Sequence, residues 1–137
     1  MEARDIMTKD VLTLPPDLSV REAAEQLLHY RIHGAPVVDP TEQLVGMVSF
    51  VDLAARSAGR VKDVMNPDPV TASEDTPVDE IAAMMLDEMV RRVPIVEAGR
   101  VVGIVSASDI IQVFLNLHEV GRLAAEPKAT KGTVAVR

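Results

Sequence analysis

The sequence contains no cysteine and no tryptophan, and its 137 residues include only two phenylalanines and one tyrosine. Without thiols there is no disulfide framework, no thiolate nucleophile and no thiolate metal site. Three aromatic rings cannot build the stacking platform that single-stranded nucleic acid requires. Positive charge is also scarce: 14 Lys and Arg against 21 Asp and Glu leave a net charge of −7. That is the opposite of the basic footprint a phosphate backbone demands, so nucleic acid is not an expected partner. No apolar run approaches the roughly 18 residues of a membrane span. The opening Met1-Glu2-Ala3-Arg4-Asp5 has neither the basic lead nor the apolar stretch of a signal peptide. A soluble, cytoplasmic protein is the expectation. What the chain does have is 47% hydrophobic residues beside 26% charged ones. That is the balance of a folded chain, long enough for one compact domain or two small units sharing a core.

The chain is one unit written twice. Asp5-Ile6-Met7 returns as Asp63-Val64-Met65, an offset of 58. At that offset Thr13 falls on Thr71, Asp17 on Asp75, Val20 on Val78, Leu28 on Leu86 and Pro36 on Pro94. One residue is lost after Val96, and the match resumes with Val45-Gly46 on Val102-Gly103, Val48-Ser49 on Val105-Ser106 and Asp52 on Asp109. A repeat held in register over such a length sets the architecture before any fold is proposed.

Each copy alternates its periods in the same way. Val20, Ala23, Ala24, Leu27 and Leu28 follow the spacing of an amphipathic helix, as do Val78, Ile81, Ala82, Met85, Leu86 and Met89. Ser19 with Glu22 reads as a capping box, and Thr76 stands before Pro77 at an expected first helical position. Two short apolar runs then follow, Ala35–Val38 with Leu44–Val48, and Val93–Val96 with Val101–Val105. Each pair, with its intervening turn, predicts a hairpin. Pro36 and Pro94 cannot donate to a ladder, which predicts a strand start or an edge. A second helix opens at Ser49 and at Ser106, the latter running through Ile110, Ile111, Phe114, Leu115 and Leu117 to a stop at Gly121. The units are expected over 5–56 and 63–120, with a linker over 57–62 and a flexible tail over 121–137. Fewer than 60 residues rarely build a core alone, so the copies are expected to pack together.

The sharpest motifs are Gly46-Met47-Val48-Ser49-Phe50-Val51-Asp52 and Gly103-Ile104-Val105-Ser106-Ala107-Ser108-Asp109. One reading is a capping box, in which the hydroxyl caps the helix and the carboxylate reaches back to the cap's amide. The other is a nucleotide site, with phosphate at the helix amino terminus and the aspartate on the ribose hydroxyls. Arg91-Arg92 is open to two readings as well, as cations at a helix carboxy terminus or as a phosphate clamp. The matching place in the first copy holds His33-Gly34. Met84, Met85 and Met89 read as core filler. His29, His33 and His118 lack metal-ligand spacing, Ser49 and Ser106 lack a nearby histidine base, and no P-loop or dinucleotide fingerprint is present. No catalytic set emerges, and no enzymatic activity is expected.

The opening Asp-(Ile/Val)-Met, the Pro-(Val/Ile)-Val strand and the closing Gly-hydrophobic-Val-Ser-x-x-Asp resemble a cystathionine-β-synthase (CBS) domain. Two in tandem, over residues 5 to about 117, resemble a CBS-domain pair or Bateman module. The resemblance implies an α/β fold of two pseudo-twofold-related βαββα units packed through their sheets, often dimerising into a flat disk. It also implies a regulatory module that senses AMP, ADP, ATP or S-adenosylmethionine and signals to a separate effector protein, with no other cofactor required. Carried onto this sequence, one site joins Ser49 and Asp52 to Val70, Val90, Arg91 and Arg92. The other joins Ser106 and Asp109 to Leu12, Ile32, His33 and Gly34. The aspartates would hold ribose, the arginines phosphate, and Val70 and Val90 the base. On this division the arginine-bearing site prefers the more highly phosphorylated ligand. The rival reading is a ligand-free structural and dimerisation module in which both Ser-x-x-Asp motifs are only caps.

Overall fold

The computed structural model describes residues 1–122. In chain order the elements are α1 (Ala3–Ile6), α2 (Val20–Tyr30), β1 (Gly34–Val38), β2 (Leu44–Ser49), α3 (Phe50–Ala54), α4 (Val61–Val64), α5 (Val78–Glu88), β3 (Arg92–Glu97), β4 (Arg100–Ser106) and α6 (Ala107–Arg122). The repeat is geometric as well as textual, since α1 and α4, like α2 and α5, begin and end at the offset of 58. The stop expected at Gly121 lies within α6, which runs through Arg122; the tail from 123 onward falls outside the described residues.

Both long helices bury the stripe their spacing predicts: Val20, Ala23 and Leu27 in α2, and Val78, Ile81 and Met85 in α5. The stripe is narrower than expected. Leu28 and Leu86 are 70% and 79% exposed, and Met89 is 90% exposed. Met89 is no core residue but the left-handed cap of α5 (φ 55°), as Arg31 is of α2 (φ 56°). At the other end of α2, Ser19 Oγ accepts from Glu22 N–H at 3.0 Å. The Glu22 carboxylate takes the Ser19 hydroxyl at 2.9 Å instead of the amide, so half of the expected box forms. In α5 the cap is Pro77, the counterpart of Ser19, and the helix begins at Val78. Thr76 instead closes the turn before it, accepting from Ser73 N–H at 3.0 Å.

Each hairpin is antiparallel, with Gly34 opposite Ser49 and Arg92 opposite Ser106, and each carries a bulge, after Val37 and after Ile95. The strand expected at the start of each repeat shrinks to one parallel bridge, Leu14 beside Val37 and Ala72 beside Ile95. The prolines explain this. Leu14 N–H donates to Pro36 C=O and Val38 N–H to Leu14 C=O, both at 3.0 Å. The next parallel rung would need a Pro36 N–H on the Leu12 carbonyl, and proline has none. The same holds for Pro94 and Val70. Pro36 and Pro94 thus lie on an edge, in strands paired on one side only, but not at a strand's start: each is the third residue of its strand, buried, and it ends the sheet there.

The two repeats exchange their opening segments. Val61 from α4 is buried in the first core, among Leu14, Leu27, Val37, Val48 and Leu53. Ala3 and Met7 are buried in the second, among Ile81, Met85, Val93, Ile95 and Val105. Part of the expected 57–62 linker is thus α4 itself. Backbone bonds secure the exchange: Ala3 N–H to Thr76 C=O at 2.9 Å, Val61 N–H to Leu18 C=O at 2.9 Å, and reciprocal pairs between Met47 and Asn66 and between Thr8 and Ile104. The motif aspartates start these short helices, Asp5 Oδ2 accepting from Glu2 N–H at 2.7 Å and Asp63 Oδ2 from Arg60 N–H at 2.8 Å. At the strand tips Leu44 N–H donates to Gly99 C=O at 2.9 Å and ties the hairpins together.

Gly46 and Gly103 are where the exchanged segments press closest. A Cβ on Gly46 would stand 2.5 Å from Met65 Sδ and 2.8 Å from the Asn66 carbonyl. One on Gly103 would stand 2.6 Å from Met7 Sδ and 3.1 Å from the Thr8 carbonyl. Gly46→Ala is expected to destabilise by roughly 1–3 kcal/mol in urea or thermal unfolding, as overpacking does. It should cost more than Gly103→Ala, because backbone yields less readily than a methionine. Met89→Gly acts in the opposite sense. Relief of a left-handed non-glycine residue outweighs the entropy glycine adds to the unfolded chain. Thermal unfolding of that variant should show a gain of about 0.5–1 kcal/mol; a loss would overturn the strain argument.

Candidate functional site

Each repeat ends its second strand at a serine that caps the following helix. Ser49 N–H donates to Asp52 Oδ2 at 2.8 Å, and Asp52 N–H donates to Ser49 Oγ at 3.1 Å. Ser106 and Asp109 repeat this at 2.8 and 3.2 Å. Both motifs are therefore true capping boxes. The geometry does not exhaust them, because each box uses only Oδ2 of its aspartate. Among the described hydrogen bonds Oδ1 of Asp52 and of Asp109 accepts nothing, and neither serine hydroxyl donates. A cap and a diol-binding carboxylate are compatible uses of one side chain. The dipole contribution differs between the copies: α6 has 16 residues, whereas α3 has five and offers little macrodipole.

The segment before each strand-borne proline is pinned to its own repeat's box. His33 C=O accepts Phe50 N–H at 2.7 Å, and Arg91 C=O accepts Ala107 N–H at 2.8 Å. Arg91 and Arg92 do not cap α5, whose end is closed by Val90 N–H donating to Met85 C=O at 3.0 Å. Arg91 is exposed and Arg92 half-buried. Burial, with Arg91 as a like-charged neighbour, pulls the Arg92 pKa below the ordinary guanidinium value. Among the described residues neither arginine forms a salt bridge.

Leu12 and Ile32 pack half-buried on the first core, and Val70 and Val90 on the second. The carbonyls of Leu12 and Val70 are the acceptors that Pro36 and Pro94 cannot satisfy, and among the described backbone bonds neither accepts a donor. Each repeat thus carries the same small set: apolar side chains, an unpaired backbone carbonyl, a serine hydroxyl and a spare carboxylate oxygen. Such a set suits a flat apolar ring carrying hydrogen-bond donors, joined to a sugar diol. Backbone bonds and strand register bring His33 and Gly34 to the Ser49 box, and Arg91 and Arg92 to the Ser106 box. One close approach joins the halves, the Arg92 guanidinium against Gly34. Surface depressions along α2 and beside the Asp39 turn involve none of these residues. Among the described residues no His, Asp and Glu cluster is placed to hold a metal, and no helix is long and apolar enough to cross a membrane.

The role of the unpaired carbonyls was the part not read from sequence. The signal was present in Pro36 and Pro94, but it became legible only once the parallel neighbour was known.

Comparison with known proteins identifies the fold. The crystallised CBS domain pair of protein MJ0100, in complex with 5′-methylthioadenosine and S-adenosyl-L-methionine, superposes with a TM-score of 0.81 at 34% identity, covering 85% of this chain and 98% of that one. CBSX2 from Arabidopsis thaliana in complex with AMP gives 0.79 at 28% identity, covering 85% and 98%. The inosine-5′-monophosphate dehydrogenase of Methanocaldococcus jannaschii is 39% identical over 114 residues, 81% of this chain; the match spans 23% of that enzyme's length. The CBS domain family matches residues 3–59 and again 61–116. The chain belongs to the CBS domain family, as a tandem pair.

Proposed function

We propose that this pair is a regulatory module that takes adenosine-containing ligands in clefts between its repeats and passes their occupancy to a separate effector protein. The observations that carry the reading are a spare aspartate oxygen and an unpaired backbone carbonyl, each present twice at equivalent positions. In each cleft the aspartate would hold the ribose hydroxyls, while the carbonyl of Leu12 or Val70 and the neighbouring apolar side chains receive the base. The arginines would meet phosphate. The relatives crystallised with AMP and with S-adenosylmethionine support the class of ligand. No group in the clefts forms a nucleophile–base pair, so the reading assigns binding and no turnover.

A second copy of the chain is part of the proposal. Leu28, Leu86, Ile111, Phe114 and Leu117 are exposed on the helices, and large exposed apolar side chains suit an interaction surface. Burying it against a twin would produce the disk expected of the family. The ligand-free structural reading keeps a specific observation of its own, the completed capping boxes.

Calorimetric titration with AMP, ADP, ATP and S-adenosylmethionine decides between them. Binding with two unequal sites is expected, and Asp52→Ala and Asp109→Ala should each remove one site, at a stability cost of about 0.5–2 kcal/mol for the lost cap. The same stability loss with no binding to lose, in protein free of co-purified nucleotide, would favour the structural module. Light scattering should give twice the chain mass, and Leu86→Glu combined with Leu117→Glu should return the monomer. A wild-type monomer would remove the dimer from the proposal.

A further inference from the structure

The joints between the repeats are built alike but are not equally shielded. Met65 Sδ lies 2.5 Å, and its Cγ 3.0 Å, from where a Cβ on Gly46 would stand. Met7 repeats this on Gly103, with Sδ at 2.6 Å and Cγ at 2.9 Å. Each thioether thus fills the volume that a side chain on its glycine would take. Met7 is buried with the second core, at 9% exposure, whereas Met65 packs on the first core only partly buried. The backbone donors beside Met65 are already engaged: Met65 N–H on Val61 C=O at 2.9 Å, Asn66 N–H on Met47 C=O at 2.8 Å, and Met47 N–H on Asn66 C=O at 2.9 Å. A polar atom added to this sulfur would find none of them free. Met1 and Met89, 71% and 90% exposed, belong to neither core.

We propose that Met65 is an oxidant-sensitive modification site, at which conversion of the thioether to the sulfoxide by a hydroperoxide loosens α4 from the first repeat. The step is a two-electron oxidation of sulfur. A lone pair of Sδ attacks one peroxide oxygen, the O–O bond breaks, an S–O bond forms, and the second oxygen leaves as water, or as an alcohol from an organic peroxide. The product is polar and chiral where the thioether was apolar and pliant. In the Gly46 notch its oxygen would crowd the β2 backbone or go unpaired, and an interior packed to this density does not absorb an added atom freely. The side chain must shift, and Val61, buried in the first core four residues earlier, shifts with it. Val61 is the residue that the first core borrows, so one sulfur atom controls a joint between the repeats. The chain has no cysteine to take the oxidant first. The equivalent joint at Met7 is closed to it by burial, so the response is confined to one side of the molecule. Nucleotide occupancy plays no part in this chemistry.

The test exposes the full chain to hydrogen peroxide in steps, with sulfoxide at each methionine followed by peptide mass spectrometry and stability by thermal unfolding. Met1 and Met89 should oxidise first, with little effect on Tm. Sulfoxide at Met65 should follow, ahead of Met7, and Tm should fall with it by about 4 °C or more. Met47 and Met84 share the partial exposure of Met65, so Met65→Leu assigns the effect: its Tm should hold to within about 1 °C through the same oxidation. Methionine sulfoxide reductase with a dithiol, which becomes a disulfide as water leaves, should restore the unmodified protein. A Tm that falls as far in Met65→Leu, a Tm that tracks Met1 and Met89, or a Met65 oxidised no sooner than Met7 would overturn the proposal. Should Met65→Leu fail to fold, brief proteolysis of half-oxidised unmodified protein gives the same decision. Sulfoxide at Met65 should concentrate in the cleaved fraction, with sulfoxide at Met89 shared evenly; an even share for Met65 refutes the assignment.

Discussion

Everything in this molecule depends on the exchange of opening segments between the repeats. Neither βαββ half closes its own core. The first needs Val61 from α4, and the second needs Ala3 and Met7 from the other end of the chain. The contact that makes this possible is a thioether lying on a glycine, Met65 on Gly46 and Met7 on Gly103, with strand edges paired to the exchanged backbone beside it. Because each core borrows from the other repeat, the two halves cannot fold as independent small domains, which would be marginal at this size. The same borrowing brings the hairpins side by side and lets a residue of one repeat, Arg92, touch its counterpart in the other.

On the proposed reading, structure and binding use the same atoms. Pro36 and Pro94 end a parallel ladder after one rung, and the cost is an unsatisfied carbonyl on Leu12 and on Val70. Such a group is tolerated where water or a ligand reaches it. Asp52 and Asp109 complete a capping box through one carboxylate oxygen and hold the other in reserve. The question whether Ser-x-x-Asp is a cap or a ligand motif therefore has no exclusive answer. The cap fixes the rotamer of the aspartate, so a diol would meet a carboxylate that has already lost its conformational freedom.

The sequence carried the repeat, the hairpins, the long helices and the serine caps, because each is a local pattern: a period, a turn or a residue type at a helix start. It did not carry the exchange. Periodicity says which face of a segment is apolar and not what covers it, and α1 and α4, at four residues each, are too short to show a period. Leu28 and Leu86 lie in the apolar pattern yet face outward, since the core of a two-layer unit reaches only part of the stripe. Met89 read as core because it is hydrophobic and in phase, but the left-handed turn that ends α5 carries it out of the helix. Threonine caps well, so Thr76 reads as the cap with Pro77 as the first helical residue; in the fold Pro77 holds the cap, at the register the repeat dictates. The site residues were legible as motifs. The approach of the Arg92 guanidinium to Gly34 was not, since it turns on where a long side chain crosses from one repeat to the other.

That crossing also accounts for why the copies differ where they do. Positions 34 and 92 are equivalent, and their side chains converge between the repeats: a Cβ on Gly34 would already lie 3.2 Å from an Arg92 nitrogen and 3.0 Å from the Val48 carbonyl. Two long side chains do not fit in that space. Two guanidinium groups there would add like-charge repulsion at short range in a partly desolvated setting. One position must yield, and glycine is the residue that yields completely. A duplicated unit folded about a pseudo-twofold axis can keep its symmetry at a distance from the axis, as the boxes at Ser49 and Ser106 do. Beside the axis the space at Gly34 is taken by the Arg92 guanidinium, so the two copies differ where the packing joins them.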